Sequence, residues 1–171
     1  MKNLVLIGMM GSAKSTTGKL ISKKLNMPFF DCDDVYESLY GEKISQTFAS
    51  GGETEFRKRE KEVIKLLSNS DGAIIACGGG VVLDEENMTA LKTNGIIACL
   101  TATAETIYER VSRNDRRPLV KEGGLEKIKE IMSARAPLYN KYAHFTVDNT
   151  YIGINKSAEK IISLYLKLRD K

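Results

Sequence analysis

Apolar residues fall along this chain in two rhythms. Short unbroken runs occur at Leu4–Ile7, at Pro28-Phe29-Phe30 ending on Asp31, at Ala73–Ala76, at Ile96–Leu100 and at Phe145-Thr146-Val147. Runs of this length without polar alternation read as strands buried on both faces. Between them apolar positions recur at helical spacing. Lys14–Leu25 carries Leu20, Ile21 and Leu25 and reads as a helix, as do Asp33–Tyr40, Glu53–Leu67 and the segments at about 84–94, 104–112, 125–141 and 156–169. Regular strand–helix alternation predicts an α/β fold of three layers, with a five-stranded parallel sheet between two layers of helices. No internal repeat, low-complexity tract or long linker divides the chain, so one domain over 1–171 is expected. Ligands of such sheets bind beyond the carboxyl ends of the strands. The distinctive residues do follow strands: the Gly8 loop after the first, Asp31-Cys32-Asp33 after the second, Gly78-Gly79-Gly80 after the third.

Composition narrows the class. Apolar residues make up 42% of the 171 and charged residues 28%, as in an ordinary globular protein. A net charge of +4, spread along the chain, suits anionic small molecules and is too weak to argue for nucleic acid. Cys32, Cys77 and Cys99 form no close pair, which fits a reducing compartment and neither a disulfide framework nor a zinc site. The apolar run after Lys2 is short and leads into a Gly/Ser/Lys turn, so it reads as a strand and not a leader. No segment approaches the length that spans a membrane. The expectation is a cytoplasmic monomer without nucleic-acid or membrane partners.

GMMGSAKSTTGK, Gly8–Lys19, comes close to a phosphate-binding loop, which requires Gly, four residues, Gly, Lys and Ser/Thr. Ala13 stands where the second glycine belongs. A strand, a small-residue turn and a helix N-terminus offer backbone N–H groups to a phosphate chain. Lys14 would reach the β- and γ-phosphates, and the Ser15 hydroxyl would join a Mg²⁺ shell. Asp31 and Asp33, taken as i and i+2 on an extended strand end, would point the same way. One could serve a hard cation and the other accept a hydroxyl proton. The competing reading is a helix N-cap at Asp33 or Asp34. Three consecutive glycines after a buried strand make sense where backbone must approach a ligand closely. Arg57 and Arg135 lie in helical patterns and could each grip a carboxylate with two hydrogen bonds. Arg117 lies in a polar stretch, about 112–124, that could close as a lid and bring a cation to a transferring phosphoryl group. His144, the single histidine, has no acid–nucleophile partner in sequence and reads as structural or surface.

Taken in order, these pieces resemble the shikimate kinase family. The phosphate loop of Gly8–Ser15 is followed by Asp31-Cys32-Asp33, then Gly52-Glu53-Thr54-Glu55-Phe56-Arg57, Gly78-Gly79-Gly80, Arg117-Pro118-Leu119 and Arg135-Ala136-Pro137-Leu138-Tyr139. The resemblance covers nearly the whole chain, and GETEFR with GGG and RAPLY makes it specific. It implies the phosphate-loop kinase fold with a mobile lid, substrate-binding helices at about 33–60, and transfer of the ATP γ-phosphate to the 3-hydroxyl of shikimate. It implies ATP and Mg²⁺, with shikimate held by Asp33, Arg57, Gly79, Gly80 and Arg135. Glu60 would orient the arginines, and Phe48, Phe56, Pro118 and Leu119 would pack around the ring. Gly11, Ser12, Ala13, Lys14, Ser15, Thr16, Arg110 and Arg117 would hold the nucleotide, with Arg110 on the adenine. Ser15 and, through water, Asp31 would hold Mg²⁺. Lys14, Asp33 and Arg117 would be catalytic.

This sequence departs from the family pattern twice. Ala13 replaces a glycine, and Asp148–Ile152 lacks the arginine often found after the last strand. Alanine at a position needing positive φ is expected to weaken ATP binding or shift the loop. Two alternatives share the phosphate loop. A gluconate-kinase-like enzyme would not need paired arginines with GGG, and a nucleotide-binding homologue with decayed catalysis would rest on Ala13 alone.

Overall fold

The computed structural model describes residues 1–112 and 123–170. The strands are β1 (Asn3–Ile7), β2 (Phe29–Asp31), β3 (Ile74–Ala76), β4 (Gly95–Thr101) and β5 (Phe145–Asp148). All pair in parallel, in the order β2-β3-β1-β4-β5. The helices are α1 (Lys14–Leu25), α2 (Cys32–Tyr40), α3 (Ile44–Ser68), α4 (Glu85–Thr93), α5 (Ala104–Ser112), α6 (Gly124–Tyr142) and α7 (Gly153–Arg169).

The unbroken apolar runs are explained by the two faces of the sheet. Successive strand residues point to opposite sides. Leu4 and Leu6 of β1, with Ile96, Ala98 and Leu100 of β4, pack against Ile21 of α1 and Ala158, Ile161 and Tyr165 of α7. Val5 and Ile7, with Ile97 and Cys99, pack against a layer that includes Tyr36, Phe56, Ile64, Met88, Ile107 and Tyr139. Each of these strand residues is essentially inaccessible, and burying one Leu or Ile contributes about 1.5–3 kcal/mol. Such an arrangement leaves only Thr101, at the end of β4, as a partly exposed polar position in β1 or β4, so the alternation of a half-exposed strand never develops.

Three expectations change in detail. The helix expected from Glu53 begins at Ile44, because Ile44–Gly51 is also helical and α3 kinks at Gly52 (φ 67°, ψ −168°). A Cβ there would meet nothing, so the kink needs glycine for its dihedral and not for space. Asp31 and Asp33 are not both on an extended end. Asp31 closes β2 and is the N-cap of α2, its Oδ1 accepting the Asp33 N–H at 3.0 Å, and Asp33 lies in the first helical turn. The cap is therefore Asp31 and not Asp33 or Asp34. Of the lid expected over about 112–124, residues 113–122 lie outside the described residues, and with them Arg117, Pro118 and Leu119. Among the described residues no helix is long and apolar enough to cross a membrane, and the three cysteines are free and buried.

Candidate active site

Ala13 adopts a left-handed conformation, φ 65° and ψ 27°, as the N-cap of α1. The expected need for positive φ at this position is met by a residue that carries a Cβ. The Lys14 ammonium donates to the carbonyls of Gly8 (2.9 Å) and Met9 (2.8 Å), folded over the loop from which it springs. Ser15 Oγ donates to Asp31 Oδ2 at 2.5 Å. A hydroxyl and a carboxylate, the first from the phosphate loop and the second from the neighbouring strand end, are thus held together. Among the described residues no group of three or more His, Cys, Asp or Glu could cage a metal. A pair of oxygen donors fits a cation that takes its remaining ligands from phosphate and water, as Mg²⁺ does.

On the other side of the loop, Arg110 of α5 donates from Nη1 to the Gly11 carbonyl (3.3 Å) and to Asn149 Oδ1 (3.0 Å), and from Nη2 to the Asn149 carbonyl (3.2 Å). Asn149 in turn donates from Nδ2 to the Ser12 carbonyl at 2.7 Å. Buried Asn149 therefore locks the phosphate loop to the residue just after β5. Arg110, Asn149, Gly11, Ala13, Thr16 and Ile154 line one open cleft. Nothing local in the sequence marks Asn149. A polar residue at the end of a strand is common, and its partners lie far away in the chain.

The second half of the site is built around the glycines. Gly80 lies flat on Arg57: a Cβ there would stand 2.6 Å from Arg57 Nη1 and 2.8 Å from Cζ. A Cβ on Gly79 would lie 3.7 Å from Arg135 Nη1 and 3.1 Å from the Met10 nitrogen. A Cβ on Gly78 would lie 3.3 Å from Glu60 Oε1 and 3.6 Å from Asp33 Oδ1. One bare backbone segment thus touches Asp33, Glu60, Arg57, Arg135 and the phosphate loop. Arg57 donates from Nη1 to Glu60 Oε2 at 2.6 Å, and from Nε and Nη2 to Glu53 Oε1 at 3.3 and 3.1 Å. Burial pushes the Glu60 carboxyl above its ordinary range while Arg57 pulls it back. Burial acts against the Arg57 charge, and Glu60 and Glu53 more than offset it, leaving the guanidinium pKa raised. Glu60 thus pairs with Arg57, one of the two arginines it was expected to orient. Phe56 and Phe48 stack beside Arg57, their centroids 4.8 Å apart, with Phe48 substantially exposed and the Arg57 Cζ 5.1 Å from the Phe56 centroid. Tyr139 donates to the Gly79 carbonyl at 2.6 Å.

His144 lies away from all of this. Its Nδ1 accepts the Ile97 N–H at 2.9 Å, joining the start of β5 to β4. It is structural, as its sequence setting suggested.

A parallel sheet with a phosphate loop after β1, a hydroxyl–carboxylate pair beside it and a glycine turn against two arginines next door defines a phosphate-loop small-molecule kinase. The family model described as shikimate kinase matches residues 10–165. A shikimate kinase from Thermodesulfovibrio yellowstonii is 46% identical over 98% of this chain and 97% of its own. The solved structure of shikimate kinase from Acinetobacter baumannii in complex with shikimate superposes with a TM-score of 0.94 at 32% identity, over 100% of this chain and 96% of that one. A gluconokinase from Sinorhizobium meliloti, at TM-score 0.64 and 12% identity over 98% and 95% of the two chains, shares the fold alone. The chain belongs to the shikimate kinase family, and it is an ATP-dependent kinase.

Proposed function

We propose that this chain carries out the family's reaction, moving the γ-phosphoryl group of ATP to the 3-hydroxyl of shikimate, with a division of labour among its own residues. The observation that carries the reading is the meeting of Arg57, Arg135, Asp33 and Glu60 on the Gly78–Gly80 backbone, directly beside the phosphate loop. Two guanidiniums suit a carboxylate, and a carboxylate beside them suits ring hydroxyls. Arg57 and Arg135 hold the shikimate carboxylate. Phe48 and Phe56 cover the ring. Asp33 bonds a ring hydroxyl and takes its proton as the new P–O bond forms. Gly79 and Gly80 let the ring approach the phosphates without a side chain between them.

On the donor side, the loop residues Gly11 to Thr16 cradle the phosphates and Arg110 faces the base. Ser15 and, through water, Asp31 would hold Mg²⁺, which would supply charge neutralisation to the phosphate chain. Lys14 stabilises the transferred group. Arg117, which lies outside the described residues, would join it as the lid closes. Transfer of this kind is mainly positioning and charge stabilisation. Closure that excludes water limits ATP hydrolysis. The reaction is expected in the cytoplasm, by a monomer made of one domain.

The test is ADP release by purified protein with Mg·ATP, with and without shikimate, beside quinate and gluconate. Turnover that needs both Mg²⁺ and shikimate is expected. Turnover with quinate or gluconate and none with shikimate overturns the substrate. Tight nucleotide binding with no acceptor-dependent turnover overturns the enzyme reading in favour of a decayed nucleotide-binding module.

A further inference from the structure

We propose that Tyr139 is a positioning residue of the acceptor site, whose hydroxyl, by donating to the Gly79 carbonyl, sets the spacing between the Arg135 guanidinium and the phosphate loop. This rests on the reading that Arg135 holds the acceptor's carboxylate.

Arg135 and Tyr139 are four residues apart on α6 and so share one face of the helix. That face clamps Gly79. The Tyr139 hydroxyl bonds its carbonyl at 2.6 Å, and the Arg135 guanidinium lies beside its Cα, 3.7 Å from where a Cβ would be. The same Cβ position is 3.6 Å from the Gly8 carbonyl, which itself accepts from the Lys14 ammonium. A continuous line of contacts therefore runs from the acceptor arginine, through Gly79, to the lysine of the phosphate loop. Gly79 has no side chain with which to fix itself, so its position depends on what its backbone bonds. Tyr139 is buried, 5% exposed, and fills a fixed place in the core layer. Burial pushes its phenol up to about 12, against the pull of the neighbouring Arg135, so it remains a hydrogen-bond donor at working pH. Without the hydroxyl, the Gly79 carbonyl loses its anchor to α6. The acceptor can then sit short of the donor, and misplacement of about 1 Å is enough to slow such a reaction roughly 100-fold.

Tyr139→Phe keeps the ring and removes the hydrogen bond. The expected result is a rise in shikimate KM of about five- to tenfold with a fall in kcat, ATP KM within about twofold, and a melting temperature within about 3 °C of the parent. Direct calorimetric titration with shikimate reads the loss of affinity separately from kcat on any folded fraction. Replacing Tyr139 by 3-fluorotyrosine, which keeps the O–H, restores the parental KM. In Arg135→Ala/Tyr139→Phe the two effects are less than additive, because Tyr139 meets Arg135 both directly and through Gly79. If Arg135→Ala raises shikimate KM and Tyr139→Phe leaves it within twofold, the inference fails. Strict additivity, or equal rises in both KM values with a large melting loss, also overturns it in favour of a packing role. If Arg135→Ala itself leaves shikimate KM unchanged, the underlying assignment of Arg135 is what fails.

Discussion

Replacing Ala13 by glycine isolates the cost of the one residue that departs from the phosphate-loop pattern. Ala13 has φ 65° and ψ 27°. A left-handed conformation costs a residue with a Cβ about 1–2 kcal/mol. Glycine removes that cost but gains freedom in the unfolded chain, which returns about 0.4–1 kcal/mol. The net gain is about 1 kcal/mol, which for a domain of this size raises the melting temperature by about 2–4 °C. The carbonyl of Ala13 accepts the Thr17 N–H at 3.0 Å, so the conformation is fixed by the first turn of α1 whatever fills the cradle. The cost therefore falls on stability, and the affinity expected from the sequence to suffer should hardly change. ADP affinity in Ala13→Gly is expected to stay within about threefold of the parent, less than 1 kcal/mol. Differential scanning fluorimetry and an ADP titration read the two quantities separately. A variant that melts at or below the parent refutes the strain argument. An affinity gain of tenfold or more shows instead that the methyl group of Ala13, which lines the cleft beside Arg110, crowds the phosphates.

Arg57→Ala should raise shikimate KM by roughly 30- to 1000-fold, the loss of about 2–4 kcal/mol of charge-assisted bonding, with ATP KM little changed; equal rises in both would contradict its assignment to the acceptor. Gly80→Ala places a Cβ 2.6 Å from Arg57 Nη1 and should destabilise by about 1–3 kcal/mol in urea unfolding while raising shikimate KM, and a neutral outcome would show that Arg57 is free to retreat. His144 must be neutral at Nδ1 to accept the Ile97 N–H, and burial chiefly, with Lys92 and Lys2, holds its pKa below the ordinary 6.5. The unfolded chain therefore binds the proton first. Stability is full above pH 6.5 and falls as pH drops from there through the lower folded value. The urea midpoint should decline between pH 7 and 5.5 more steeply in the parent than in His144→Gln, and equal slopes would remove His144 from the account.

Much of this was legible because it is local. The β1–loop–α1 unit reads directly, since an unbroken apolar run, a small-residue turn and a helical spacing are each defined within a few residues. The span Lys14–Leu25 is the same by pattern and by backbone. The helix at 44–51 escaped because its face is mostly polar and ends in Gly51-Gly52, a pair that signals a break; the chain kinks there and continues. The i and i+2 reading of Asp31 and Asp33 failed because α2 starts at Cys32, directly after the strand ends on Asp31, so Asp33 lies in a helical turn that Asp31 caps. The roles of Asn149 and Tyr139 were not legible, because each bonds a backbone carbonyl far away in sequence. No composition or period encodes such a partner. Arg57 and Arg135 were found as candidates, yet nothing local could show that both lie against one glycine loop.

Strand order explains why that loop is glycine. The sheet runs β2-β3-β1-β4-β5, so the turns that follow these strands stand in a row at the carboxyl edge. Asp31 closes β2 with Asp33 just beyond it, Gly78–Gly80 come after β3, and the phosphate loop after β1. Asn149, the anchor of Arg110, follows β5 at the far side. The proposed acceptor acids, the phosphate loop and Arg110 are therefore laid out in a row along the carboxyl edge, and the proposed transfer runs along it. Neighbouring strands are about 4.8 Å apart. A side chain on the β3 turn would stand between the acceptor and the phosphate loop and hold them apart. A turn without side chains lets the arginines reach in from α3 and α6, and it leaves its backbone to be fixed by others. Gly79 is fixed by Tyr139 on one side and packs against Gly8 and Met10 on the other. The close approach that in-line transfer needs is in this way a consequence of topology, with glycine required at its centre and an outside hydroxyl required to hold it.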